Sequence, residues 1–298
     1  MTIAYLLACS AGLMLLNAGA HAAVPSAVEL QACSGLPCAT FQTAGPTAFK
    51  LLIDTGNAQS VLDLNRAKAL GVALAPYHSK SGEAVPGYQV GTLKGLTLGN
   101  ESLGDVKFLV VDLQKDIDKG DFPSADGTLS YRDLKDRTLT LDFRKHRIGV
   151  SSAAAAPVGC ATNCGALSYP TFGSKGPPIV ASTGFSVNGI AVTVQVDTLY
   201  SGTMLIYPTS VAKAGLVDQS LSKRMRKFPF TDGGVEMAES TVDKEAFGSK
   251  ELLTHAPVYF ATPEVHLPDG LFDGTVGVGL FKDRVVTFDF RANRLRIG

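Results

Sequence analysis

Apolar and polar positions alternate over short distances along this chain. Thr138-Leu-Thr-Leu-Asp-Phe143 and Val285-Val-Thr-Phe-Asp-Phe290 alternate with a period of two, the spacing that puts one face of a strand in a core and the other in water. Apolar runs such as Leu51-Leu-Ile53 stop at turn residues. Beyond the first two dozen residues no long stretch carries the 3.6-residue period of an amphipathic helix. Short helices are expected only at 65–70 and 210–214. Gly-rich hairpins are expected near 81–90 and 231–239, and strands at 138–143 and 285–290 are expected as the last of a terminal hairpin in each half. The pattern predicts an all-β fold.

These elements come in duplicate. Residues 126–147 align without a gap with residues 273–294, and eleven of the 22 positions are identical; composition alone supplies about one or two. Upstream, Leu52-Ile-Asp54-Thr55-Gly56 is followed by Ser60-Val-Leu62 and Ala67-Lys-Ala-Leu-Gly71. Gln195-Val-Asp197-Thr198-Leu199, Thr203-Met-Leu205 and Ala212-Lys-Ala-Gly215 repeat that order. Two homologous, β-barrel-like lobes are therefore expected at 23–150 and 171–298, with a central cleft between them. A small-residue linker with a cysteine loop, 151–170, joins them.

Composition narrows the class. Of 298 residues 45% are hydrophobic and 18% charged, enough to build a packed core and too apolar for disorder. The 27 basic and 27 acidic residues cancel, and the cluster Lys223-Arg-Met-Arg-Lys227 reads as a solvated face, so no nucleic-acid partner is expected. Residues 2–20 are almost entirely apolar or small and lead into Ala20-His-Ala22, which predicts a signal peptide at 1–22 cleaved before Ala23. Its leading segment lacks Lys and Arg, and a retained anchor is the alternative. Cleavage implies a periplasmic or secreted chain with no membrane contact.

The exported chain would keep Cys33, Cys38, Cys160 and Cys164. An even number in that setting reads as disulfides, with Cys33–Cys38 and Cys160–Cys164 the simplest of three connectivities. Zinc is the weaker reading, because no paired Cys-x-x-Cys occurs and no histidine flanks either pair. Gly-x-Ser-x-Gly and His-Glu-x-x-His are both absent, which removes the commonest serine-hydrolase and zinc-peptidase signatures.

Leu51-Leu-Ile-Asp54-Thr55-Gly56-Asn-Ala-Gln-Ser60-Val-Leu62 resembles the active-site loop of the pepsin-like and retropepsin-like aspartic peptidases. Thr275-Val276-Gly277 matches that family's later apolar-apolar-Gly element, and the resemblance spans the mature chain. It implies a bilobal pepsin-like acid-protease fold in which Asp54 and Asp197 face each other as the catalytic pair. Two such carboxyls cannot both ionise, so one stays protonated on the substrate carbonyl while the other activates water. The resemblance also implies that Thr55 and Thr198 lock the loops together and that Gly56 admits close backbone approach. It implies that Ser60 and Thr203 hydrogen-bond outer carboxylate oxygens, and that the first-lobe hairpin, with Tyr88 a candidate, forms a flap. No cofactor or metal is expected. The expected partner is a polypeptide substrate, and one chain carrying both lobes makes a monomer sufficient.

Two positions depart from the family pattern. Leu199 stands where the first lobe has Gly56, and Ser130 where the second has Gly277. Leucine there adds bulk beside the substrate path, so an inactive peptide-binding pseudo-peptidase is the competing expectation. Asp126 and Asp273 read as turn residues, and Asp142 and Asp289 as hydrogen-bonded structural residues facing solvent.

Overall fold

A computed structural model describes residues 27–43, 45, 47–113, 124–152, 163–171, 176–228, 235–261 and 271–298. The expected signal peptide at 1–22 lies outside these residues, as do positions 231–234 of the second expected hairpin; Val235–Phe247 is a strand. Among the described residues no helix is long and apolar enough to cross a membrane.

Strands dominate. An eight-stranded sheet builds the first lobe, and a thirteen-stranded sheet builds the second lobe and continues into the strands between lobes. Both lobes contain the same crossed motif. In the first, Ala48–Asp54 runs parallel to Gly127–Ser130, which lies antiparallel to Val61–Asp63 on its other side. Val61–Asp63 in turn runs parallel to Glu101–Val111. In the second lobe Ile190–Val196, Gly274–Val276, Met204–Ile206 and Lys250–Ala261 repeat these pairings.

Threading one strand between two others leaves no room for a side chain at its entry. A Cβ at Gly127 would lie 2.1 Å from the Val61 carbonyl oxygen, and one at Gly274 2.0 Å from that of Leu205. This is the physical reason for the duplicated Asp-Gly-Thr. The preceding aspartates do more than turn the chain. Asp126 accepts from the Lys50 N–H at 2.8 Å and pairs with Arg66 at 2.7 Å. Asp273 accepts from the Thr193 N–H at 2.8 Å, Ser210 Oγ at 2.9 Å and Lys213 Nζ at 2.7 Å. Each ties the strand leading to Asp54 or Asp197 to the short helical segment that follows it.

That segment differs between lobes. Leu64–Ala69 is a helix capped by Asp63, whose carboxylate accepts from the Asn65 and Arg66 N–H groups. The helix expected at 210–214 is instead the 3-10 turn Pro208–Ser210, continued by bonds from the Ala214, Gly215 and Leu216 N–H groups to the Ser210, Ala212 and Val211 carbonyls. Its N-terminus has no side-chain cap, and the segment is less regular than the capped helix of the first lobe.

The lobes join through a shared sheet. Thr138–Asp142 pairs antiparallel with Val285–Asp289, with Thr140 opposite Thr287. These two threonines are equivalent in the repeat, so the pairing is self-complementary about a local twofold axis. The strands begin their hairpins rather than ending them. His146 (φ 49°) and Asn293 (φ 52°), also equivalent, turn the chain back into Arg147–Ser151 and Arg294–Ile297. Asp142 accepts from the Arg144 and Lys145 N–H groups and Asp289 from that of Ala292, which holds both turns.

Of the expected linker, residues 153–162 lie outside the described ones. Cys164–Ser168 is a strand, because its edges meet Arg294–Ile297 on one side and Ala181–Val187 on the other. Cys33 and Cys38 form a disulfide with Cα atoms 5.8 Å apart. Cys164 is disulfide-bonded too; the expected partner Cys160 lies outside the described residues.

Candidate active site

Asp54 is the last residue of its strand, and Asp197 directly follows Ile190–Val196. Both loops then cross between lobes and interlock. The Thr55 N–H donates to Thr198 Oγ1 at 3.0 Å, and the Thr198 N–H donates to Thr55 Oγ1 at 3.1 Å. Thr55 Oγ1 donates to the Val196 carbonyl at 2.8 Å, and Thr198 Oγ1 to that of Ile53. Both threonines are 0% exposed, so these bonds compete with no water. The lock implied by the resemblance is present in both directions.

The lock brings the aspartates together. Asp54 is 4% exposed, while Asp197 keeps part of its surface open. The Gly56 N–H donates to Asp54 Oδ1 at 3.0 Å, and the Leu199 N–H donates to Asp197 Oδ1 at 2.8 Å. Gly56 also lies against the opposite aspartate: a Cβ there would stand 2.3 Å from Asp197 Cγ. Glycine is required at 56 for room, since its φ is not positive.

Burial pushes the Asp54 carboxyl well above the usual carboxylate range, and the nearby Asp197 charge pushes it further. The Gly56 and Asn57 N–H groups oppose that rise. Burial likewise raises Asp197, against the Leu199 and Tyr200 N–H groups. The N–H groups of Asn57 and Tyr200, each three residues beyond its aspartate, thus favour the charged carboxylates from the backbone. Sequence reasoning missed them because a backbone donor leaves no mark on residue type.

Ser60 and Thr203 do not hold the aspartates, which corrects the role expected of them. Ser60 Oγ donates to Asp133 at 2.5 Å and accepts from the Ser130 N–H at 2.8 Å. Thr203 Oγ1 donates to the Pro257 carbonyl. The Ser60 hydroxyl is captured by the 3-10 turn Tyr131–Leu134, and that of Thr203 by the strand Lys250–Ala261. The Ser60 link also explains Ser130: in the second lobe the Gly277 N–H goes to the Thr203 carbonyl, and a Cβ at 277 would lie 2.0 Å from the Tyr200 carbonyl oxygen. Half-buried Asp133 has its carboxyl raised by desolvation, with the Ser60 bond opposing.

Leu199 has no positive φ, so its loop is unstrained. Its side chain turns to the first lobe and packs with Leu36 and Ala125 against Cys33, Cys38 and Leu52. At the matching place on the other side, Gln195 replaces Leu52. Gln195 Nε2 donates to the Gly56 carbonyl at 3.0 Å, and its Oε1 accepts from Thr275, which is bonded to Tyr207. One loop therefore rests on an apolar surface and the other on a polar one. The first-lobe hairpin expected as a flap is formed by Leu74–His78 and the start of Ala84–Leu98, at the sheet edge. Tyr88 on it is 39% exposed.

Residues 39–131, which include Asp54, Thr55, Gly56 and Ser60, match a family model described as aspartyl protease. No curated protein matches the chain by sequence. Among solved structures, basic 7S globulin from soybean matches with a TM-score of 0.50 at 12% identity, over 92% of this chain and 94% of that chain. That likeness is one of fold, and the fold is the bilobal, all-β, pepsin-like one.

Proposed function

We propose that this chain, aspartyl-protease-like over residues 39–131 and pepsin-like in fold, is an aspartic endopeptidase whose catalytic pair is Asp54 and Asp197. The observation that carries the reading is the two carboxyls held on interlocked loops, both raised above the ordinary carboxylate range by burial. Such a pair shares one proton across the acid range. The protonated member polarises the substrate carbonyl, and the ionised member takes a proton from the attacking water as the new C–O bond forms. The proton then passes to the leaving amine as the C–N bond breaks. Gly56 and Leu199 hold the carboxylates through N–H groups, so little reorganisation is needed. An extended peptide would lie between the lobes as an added strand, covered by the hairpin bearing Tyr88. One chain supplies both halves of the site, and secretion or periplasmic residence is proposed with it.

The binding-protein alternative rested on Leu199 blocking the site. Its packing against the first lobe favours the peptidase reading over that alternative. The test is hydrolysis of an unbiased peptide mixture across pH 3–7 by the chain and by Asp54→Asn. Cleavage is expected to peak at acid pH and to vanish in the variant. Cleavage that survives Asp54→Asn, or none from folded protein at any pH, would overturn the assignment.

A further inference from the structure

The two aspartate loops are equivalent in sequence order but supported differently, and the difference lies in Leu199. Its N–H donates directly to Asp197 Oδ1 at 2.8 Å, so a shift of this residue moves the carboxylate. Its side chain leaves the second lobe and rests on Cys33, Cys38 and Leu52 of the first. Leu52 lies two residues before Asp54 on the same strand, and Cys38 pairs with Leu52 across the adjacent strand. The surface beneath Leu199 is therefore part of the platform that carries Asp54. The Cys33–Cys38 disulfide closes that surface: both sulfurs are buried, in a hairpin of only two residues between Gln31–Cys33 and Leu36–Gln42. A two-stranded hairpin end of this size is marginal without a staple. The other loop has no apolar counterpart; Gln195 holds it through the Gly56 carbonyl at 3.0 Å. Gly56 has no side chain, and a Cβ there would strike Asp197.

We infer that Leu199 is a positioning residue that couples Asp197 to the Cys33–Cys38 disulfide, so that the geometry of the carboxyl pair depends on that disulfide being closed. The inference rests on the peptidase reading for its activity readout only. Leucine at 199 is then a working part of the site: it replaces a missing glycine with a cross-lobe prop.

A double-mutant cycle tests the coupling. The four proteins are the parent, Leu199→Ala, Cys33→Ala/Cys38→Ala, and their combination. Cysteine variants are used because a reductant would also open the disulfide at Cys164. Either change alone is expected to lower kcat about tenfold with KM altered less than about twofold, the mark of lost transition-state alignment. The combination is expected to be no worse than either alone. Leu199→Met, which keeps the apolar contact, is expected to recover most of what Leu199→Ala loses. If the cysteine variant does not fold, Leu52→Ala takes its place in the cycle, since it removes the surface under Leu199 and keeps the disulfide. Losses that multiply in the combination, or that fall on KM alone, overturn the inference. A parent without peptidase activity would sink the peptidase reading and leave this one standing, because carboxyl 13C titration of Asp197 in the same four proteins reads the coupling directly. There the expected result is a changed apparent pKa in each single variant with no further change in the combination. Identical titrations in all four, or shifts that add, overturn it.

Discussion

At the scale of single residues, the sharpest commitments are buried polar groups. Thr198 satisfies the Thr55 N–H and the Ile53 carbonyl at once. Thr198→Val keeps the shape and orphans both, at a cost of roughly 2–4 kcal/mol, read as a lower urea midpoint at unchanged slope; Thr198→Ser should recover most of it. A loss below about 0.5 kcal/mol would mean that the lock contributes nothing to stability. Glu245 is different: it is 0% exposed, and its carboxylate oxygens have no hydrogen-bond partner among the described residues. Burial pushes its pKa up from 4.5 to about 8. The unfolded chain ionises first, so stability falls as pH rises through the window from about 4.5 to 8. Glu245→Gln should match the parent near pH 4 and exceed it by roughly 2–5 kcal/mol at pH 8; thermal melts at both values check this. The same sign applies to Asp54. Asp54→Asn should abolish hydrolysis yet melt higher than the parent at pH 7, with the advantage shrinking toward pH 3. Equal melting temperatures at pH 7 would argue that Asp54 carries no burial penalty.

At the scale of elements, the Asp-Gly-Thr repeat is a joint. Burial works to raise Asp273, but Lys213, the Thr193 N–H and Ser210 together hold its carboxyl below the usual value. A lowered pKa means stability that is full above the unfolded value near 3.8 and is lost as pH falls through the folded one. Asp273→Asn should therefore cost about 1–3 kcal/mol at pH 7, and much less in strong acid. Most of that cost should come from the Thr193 and Ser210 bonds, because Lys213 is 60% exposed and its charge is screened. Lys213→Met should accordingly cost less than Asp273→Asn. The reverse order in urea denaturation would overturn this account of the joint.

At the scale of the molecule, the lobes share a sheet through Thr140 and Thr287, and their aspartate loops interlock. Tyr131 adds a hydrogen bond to the Pro178 carbonyl at 2.8 Å and stacks on Tyr169. Separating the lobes would expose both the sheet edges and the buried threonines, so neither lobe should unfold alone. One cooperative transition is expected, with far-ultraviolet circular dichroism and the near-ultraviolet tyrosine signal coinciding. The chain has no tryptophan to complicate that signal. Two resolved transitions would show that the interlobe sheet is weaker than its pairing indicates.

The sequence by itself determined the strands, the duplication and the pair of Asp-Thr loops, because periodicity and repeat order are properties of neighbouring residues and survive without any knowledge of contacts. The Cys33–Cys38 disulfide was legible for the same reason, its partners being five residues apart. What only the tertiary structure decided were choices among distant partners. Ser60 carries a hydroxyl able to reach several acceptors, and Asp133, 73 positions on, takes it. Leu199 was legible as bulk at a glycine position, but its direction is set by Leu52 and two cysteines in the other lobe. Gln195 gave no signal at all, since a single glutamine on a strand acquires its role only when Gly56 arrives from 139 residues away. Local pattern specifies which backbone forms; a rotatable side chain's partner is specified only by what the fold brings within about 3 Å of it.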